Sequence, residues 1–155
     1  MTRRFGITTA GALLAAALVG TVGVAVAQDT AEVTIEQRKA NFKQFGGAMK
    51  VLKGYAKDGE GTAADASKAA QTLVTVGAGL HTWFPAGTAV GVGKSEALPA
   101  IWTNMADFEA KNASFQAAAK KLAAVNFTDK AATGAAFGEV GGTCKACHDS
   151  YKKKD

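Results

Sequence analysis

This chain of 155 residues predicts an all-α fold, an antiparallel four-helix bundle running up, down, up and down. Apolar residues recur every three or four positions in four segments, with short links inside the first pair and inside the last pair. Only two prolines occur, alanine is abundant and runs of β-branched residues are nearly missing, a composition that favours helix over strand. The last segment carries two cysteines on its apolar stripe, so whatever they hold must lie against the bundle.

The chain opens on Arg3 and Arg4, followed by an uncharged Ala- and Gly-rich run over residues 5–28 that closes on Ala25-Val26-Ala27. These are the parts of an export signal, so residues 1–27 read as a signal peptide and residues 28–155 as the mature bundle domain. The run is also just long enough to span a bilayer, which leaves an uncleaved anchor as the alternative. Removing the two arginines lowers the formal charge from +5 to +3. Lys152, Lys153 and Lys154 supply that excess as a solvated helix end, and no nucleic-acid-binding motif accompanies them.

Ile35, Arg38, Phe42, Phe45, Met49 and Leu52 step by three and four, predicting a first helix over residues 34–57 that Asp58-Gly59-Glu60-Gly61 ends. Thr62, with Asp65 three residues on, forms a capping box for the second helix. Ala66, Ala69, Leu73, Val76 and Leu80 carry it to His81-Thr82. Trp83 through Gly93 then make the longest irregular connection. The third helix starts at Ser95 or a neighbour, with Pro99 tolerable only near its first turn. Its inward stripe is Ile101, Met105, Phe108, Asn112, Phe115, Ala119 and Leu122, and it fades near Asn126. Thr128 caps the fourth helix, whose stripe is Phe137, Val140, Cys144, Cys147 and Tyr151.

The chemistry lies in Cys144-Lys145-Ala146-Cys147-His148. Two thiols three apart with an imidazole directly after the second is the spacing for one covalent haem c, each sulfur adding to a vinyl group and His148 ligating the iron. A thioredoxin-like dithiol would want a βαβ pattern, and a zinc site would have only these two cysteines, His148 and His81 to draw on. In an oxidising compartment two free cysteines would pair, whereas haem attachment consumes them. Attachment after export needs an unfolded chain, which sets aside a twin-arginine reading of Thr2-Arg3-Arg4. Gly46-Gly47, Gly138 and Gly141-Gly142 each cost up to about 1 kcal/mol in a helix interior, so they mark close approach of another helix or of the porphyrin, or simply a Gly-rich composition.

The mature chain resembles the cytochrome c′ family, exported four-helix bundles with the haem motif near the C-terminus. The likeness rests on Arg38 and its spacing to Phe42 and Met49, on Phe84-Pro85-Ala86-Gly87-Thr88, on Glu96-Ala97-Leu98-Pro99-Ala100-Ile101-Trp102, and on Phe137-Gly138-Glu139-Val140-Gly141-Gly142-Thr143 running into the haem motif. It implies a five-coordinate, high-spin haem with His148 as the only protein ligand and Phe42 closing the sixth position. Low-spin relatives place a ligating Met in the first helix. Here Met49 is two turns beyond Phe42 and Met105 lies on another helix, so a six-coordinate Met-His haem is the alternative state. The resemblance assigns Arg38 to a haem propionate, Lys39 and Glu96 to edge contacts, and Lys152 to the proximal side. His81 reads as structural or exposed.

These assignments predict a periplasmic c-type haem protein that carries electrons or binds nitric oxide or carbon monoxide, with an apolar pocket that offers no donor to bound dioxygen. The competing class is a haem enzyme, a peroxidase or nitric oxide reductase, but a peroxidase needs a distal acid-base pair and Phe42 supplies none. Expected partners are these gases, a redox partner of unknown identity and a second copy of the chain, with no nucleic acid and no membrane after signal cleavage. The resemblance puts the dimer contact on the first two helices, with Val51 and Tyr55 either serving that contact or lining the intramolecular core.

Overall fold

The computed structural model describes residues 22–154, with side chains from residue 30 onward. The paired arginines and most of the uncharged N-terminal run lie outside the described residues. Helix α1 spans Val22–Lys53 and widens into a single π-helical turn, Gly54–Asp58. The first helix is therefore helical well before residue 34 and runs unbroken past the Ala27-Gln28 junction. Gly59, at φ 74°, ends it by donating its N–H to the Gly54 carbonyl, a left-handed stop that glycine takes without a Cβ penalty.

Helix α2, Ala63–Gly77, begins as its sequence predicts. Thr62 Oγ1 accepts the Asp65 N–H at 3.1 Å, and the Asp65 carboxylate accepts the Thr62 N–H at 3.2 Å. It stops at Gly77, short of His81, and the chain makes a 3-10 turn, Leu80–Trp83, in which His81 is exposed. Gly77 is where the helix presses hardest on its neighbour: a Cβ there would lie 2.7 Å from Phe115 Cε1.

A four-residue helix and a 19-residue one replace the expected third helix. Pro99 caps α3, Ala100–Thr103, and after a break at Asn104 the chain continues as α4, Met105–Ala123. Ser95 does not start a helix, because its buried hydroxyl is engaged by Arg38, Thr88 and Ala97. The break also turns Met105 outward, 37 % exposed, so it is not part of the inward stripe. Helix α5, Lys130–Tyr151, is capped by Asp129 rather than Thr128. The Asp129 carboxylate accepts the Ala132 N–H at 2.9 Å, while the Thr128 hydroxyl donates to Asn126 Oδ1.

Helices α1, α2, α4 and α5 form the bundle, with α1 on α2, α2 on α4 and α4 on α5. Leu52, Leu73, Ile101, Leu122 and Val140 are fully buried between them; such side chains each contribute roughly 1.5–3 kcal/mol by leaving water. Tyr55 is also core, its hydroxyl donating to the Phe127 carbonyl, and so drops out as a surface contact. The long connection is tied to the C-terminus by an antiparallel bridge between Ala97 and Lys152. There the Leu98 N–H donates to the Tyr151 carbonyl at 2.9 Å and the Lys153 N–H to that of Glu96 at 2.8 Å. Among the described residues no helix is long and apolar enough to cross a membrane.

Candidate haem site

The last three turns of α5 bring Cys144, Cys147 and His148 to one end of the bundle. Spacings of three and four residues set neighbouring side chains along one face of a helix. The thiols are free and half-buried against the core, and His148 stands exposed beside them. Burial pushes both thiols above their ordinary pKa, and for Cys147 the neighbouring Cys144 adds to this. Partial desolvation, then the nearby Lys152 charge, lowers the His148 pKa. Both causes favour the neutral imidazole, the form that binds a metal.

Phe42, on α1, faces this motif. Its ring centroid lies 6.3 Å from that of His148, 5.4 Å from Trp83, 5.8 Å from Phe45 and 6.3 Å from Phe84. Phe42, Met49, Trp83, Phe84 and Trp102 are, like the cysteines, only half-buried against the core. Large apolar side chains left half-covered around an imidazole and two thiols fit a flat, apolar, iron-holding macrocycle, and the donor set supplies both its attachment and its ligand.

Arg38, four residues before Phe42, is 4 % exposed. Its Nη1 donates to the Trp83 carbonyl at 3.2 Å and to Thr88 Oγ1 at 3.0 Å. Its Nη2 donates to the Thr88 carbonyl at 2.9 Å and to Ser95 Oγ at 2.8 Å. The guanidinium carbon also sits 4.7 Å from the centre of the Phe84 ring. These acceptors are neutral, so the arginine organises the long connection and the wall residues Trp83 and Phe84 while its charge has no carboxylate among the contacts described. Burial accordingly lowers its pKa. The sequence singled out Arg38 as a buried charge but missed this clamp, whose signal is the pair of hydroxyl residues, Thr88 and Ser95, in a loop.

The remaining predicted residues are peripheral. Lys39 is exposed and pairs with Glu36 one turn back at 2.9 Å. Glu96 pairs with Lys152 at 3.3 Å, which draws both toward the His148 side. Tyr151 Oη donates to the Asp107 carboxylate at 2.5 Å, closing α5 against α4. Desolvation first and that carboxylate second raise the Tyr151 pKa to about 12. Among the described residues, a methyl group at Gly46, Gly47, Gly138, Gly141 or Gly142 would meet nothing within 4 Å, so no other described helix comes close there. The sequence also placed Asn112 on an inward stripe without giving it a role. Its Oδ1 is buried and accepts no hydrogen bond among the described residues.

Residues 33–152 match the profile of the family described as Cytochrome C'. The chain is 38% identical over 121 residues to a cytochrome c-556 of Agrobacterium tumefaciens, covering 77% of this chain and 97% of the relative. It is 36% identical over 123 residues to a cytochrome c' of Pararhodospirillum photometricum, covering 79% and 98%. Among solved structures, the nitric oxide complex of a point mutant of cytochrome c prime from Alcaligenes xylosoxidans superposes with a TM-score of 0.71 at 32% identity, covering 80% of this chain and 97% of that one.

Proposed function

Because this chain belongs to the cytochrome c′ family of covalent haem c proteins, we propose that it is an exported haem protein whose iron keeps one coordination position open for nitric oxide or carbon monoxide. The same site serves electron transfer. In this reading Cys144 and Cys147 carry the thioether bonds, His148 is the only protein ligand to iron, and Phe42 occupies the opposite side. The observation that carries it is Phe42 itself. It faces the His148 ring at 6.3 Å, and a phenyl group excludes other ligands without being able to coordinate. The nearest alternative ligand on α1, Met49, lies two turns farther along. The structural relative described above was solved as its nitric oxide complex, which supports the choice of gas.

Arg38, Lys39 and Glu96 act at the rim of the pocket in this reading. The buried Arg38 charge, satisfied only by neutral oxygens, attracts a propionate while holding the wall in place. Residues 1–27 act as a signal for export to the periplasm, and residues 28–155 form the mature domain. A homodimer uses the outer faces of α1 and α2, where Val51 is 43 % exposed beside a groove of about 630 Å³ lined by Gly47, Ala48 and Ala69.

The test is a titration of the reduced, purified protein with nitric oxide. The expected result is colour that survives acid-acetone extraction and a spectrum that changes with gas. Colourless protein, or a spectrum indifferent to both gases, would refute the reading. Peroxide turnover under steady state would favour the enzymatic alternative, and sedimentation would read the dimer.

A further inference from the structure

Asn112 carries a buried side-chain oxygen that has no hydrogen-bond partner among the described residues. On α4 it follows Phe108 by four residues and precedes Phe115 by three, so the three share a face. The Phe108 ring packs on Phe84, centroids 5.0 Å apart, and the Phe115 ring on Phe45, 5.2 Å apart. Phe84 and Phe45 both pack on Phe42. Phe108, Phe84, Phe42, Phe45 and Phe115 therefore form a chain of aromatic rings whose two ends both lie on α4, with Asn112 between those ends on the same helix. This stretch of α4 also borders the helix that carries the attachment motif, since the Tyr151 hydroxyl on α5 donates to the Asp107 carboxylate on α4.

One end of the Asn112 carboxamide is enclosed here with no protein partner. A buried amide terminus left unpaired is costly, and buried polar groups rarely go without a partner. A half-turn about the last side-chain bond exchanges oxygen for NH2 in the same envelope, so the site can offer either an acceptor or a donor.

We propose that Asn112 is a specificity-determining residue of the haem pocket, its amide donating a hydrogen bond to the outer atom of the diatomic molecule held opposite His148. The proposal rests on the gas-binding reading above and deepens it. It departs from the expectation of a pocket without a donor, and oxygen-ended and charge-separated ligands would gain from such a bond. A donor at the outer oxygen of carbon monoxide draws electron density into the ligand and weakens its C–O bond.

The experiment is infrared spectroscopy of the carbon monoxide complex of the intact holoprotein, wild type against Asn112→Leu and Asn112→Ala, with carbon monoxide affinity and thermal midpoint measured alongside. Expected in both variants are a C–O stretch at higher wavenumber and an affinity lower by about fivefold, the worth of one ordinary hydrogen bond. Asn112→Leu, which trades an unpaired amide for an apolar isostere, keeps or raises the thermal midpoint. An unchanged stretch and affinity would overturn the proposal, whatever the midpoint does. So would a lowered midpoint with an unmoved stretch, which would make Asn112 structural. If the wild type itself takes up no carbon monoxide, the gas-binding reading falls first and this one with it, and the wild-type spectrum alone shows that.

Discussion

The two ends of the bundle are finished differently. At the end where α1 gives way to α2 and α4 to α5, Leu52, Leu122 and Val140 are sealed, Tyr55 bonds the Phe127 carbonyl, and Lys130 Nζ lies 3.0 Å from the Tyr55 ring centre. At the other end Phe42, Trp83, Phe84, Cys144 and Cys147 are only half-covered, and His148 is exposed. Protein atoms complete the first end by themselves. The second end is complete only as a cradle, with a polar frame of Arg38, Thr88 and Ser95 behind its aromatic wall. Helix ends that must hold a large cofactor cannot also close on one another.

That contrast can be broken most severely at the motif. Replacing Cys144 and Cys147 together by alanine removes covalent haem altogether, read as loss of haem staining on a denaturing gel. Next in size, Arg38→Met leaves the Thr88 and Trp83 carbonyls and two hydroxyls without their donor. It should cost about 3 kcal/mol in denaturant unfolding and open residues 84–98 to proteolysis. At the border between the two ends, Gly77→Ala forces its Cβ onto Phe115 and should cost about 2 kcal/mol. Gly142→Ala, where the Cβ meets open space, should change stability in the opposite direction by less than about 1 kcal/mol. The same urea titration reads both signs.

The smallest effect is in the pH profile. Tyr151 has its pKa raised to about 12 in the folded protein. The folded state thus holds the phenolic proton more tightly than the unfolded chain, and the stability this provides is complete below about pH 10 and lost as pH climbs toward 12. Its partner Asp107 is held below the usual carboxylate range, chiefly by the Tyr151 hydrogen bond, so that contribution fades only as pH falls into the acid range. Unfolding midpoints of Tyr151→Phe measured across pH should lack the alkaline slope and show a shallower acid one, since Lys111 still faces Asp107 at 3.5 Å.

Most of the bundle was legible in the sequence because period and capping are local. The stripe of Ile35, Phe45 and Leu52 is buried as its spacing requires, and Thr62 with Asp65 caps α2. The heme motif was equally plain, since its spacing is its chemistry. What failed to show was set by tertiary contacts. Ser95 looks like a helix start, but its hydroxyl serves a buried arginine 57 residues away in the chain. Thr128 looks like a cap, but Asp129 sits one position closer to the unpaired N–H groups. Glycines followed the same rule: a Cβ on the conspicuous pairs in α1 and α5 would meet nothing within 4 Å among the described residues, whereas one on the unremarked Gly77 would press on the Phe115 ring. Tyr55 and Val51 both read as apolar positions on the first helix, and only packing against Phe127 separates core from surface.

The proposed site depends on an iron gripped from one side by His148 and screened on the other by Phe42. The optical spectrum of the purified protein, reduced with dithionite and then exposed to carbon monoxide, tests this most directly. The predicted result is a high-spin ferrous spectrum that converts to a low-spin one when the gas is added. A ferrous spectrum already low-spin before any gas, with the signature of methionine sulfur on the iron, would contradict it.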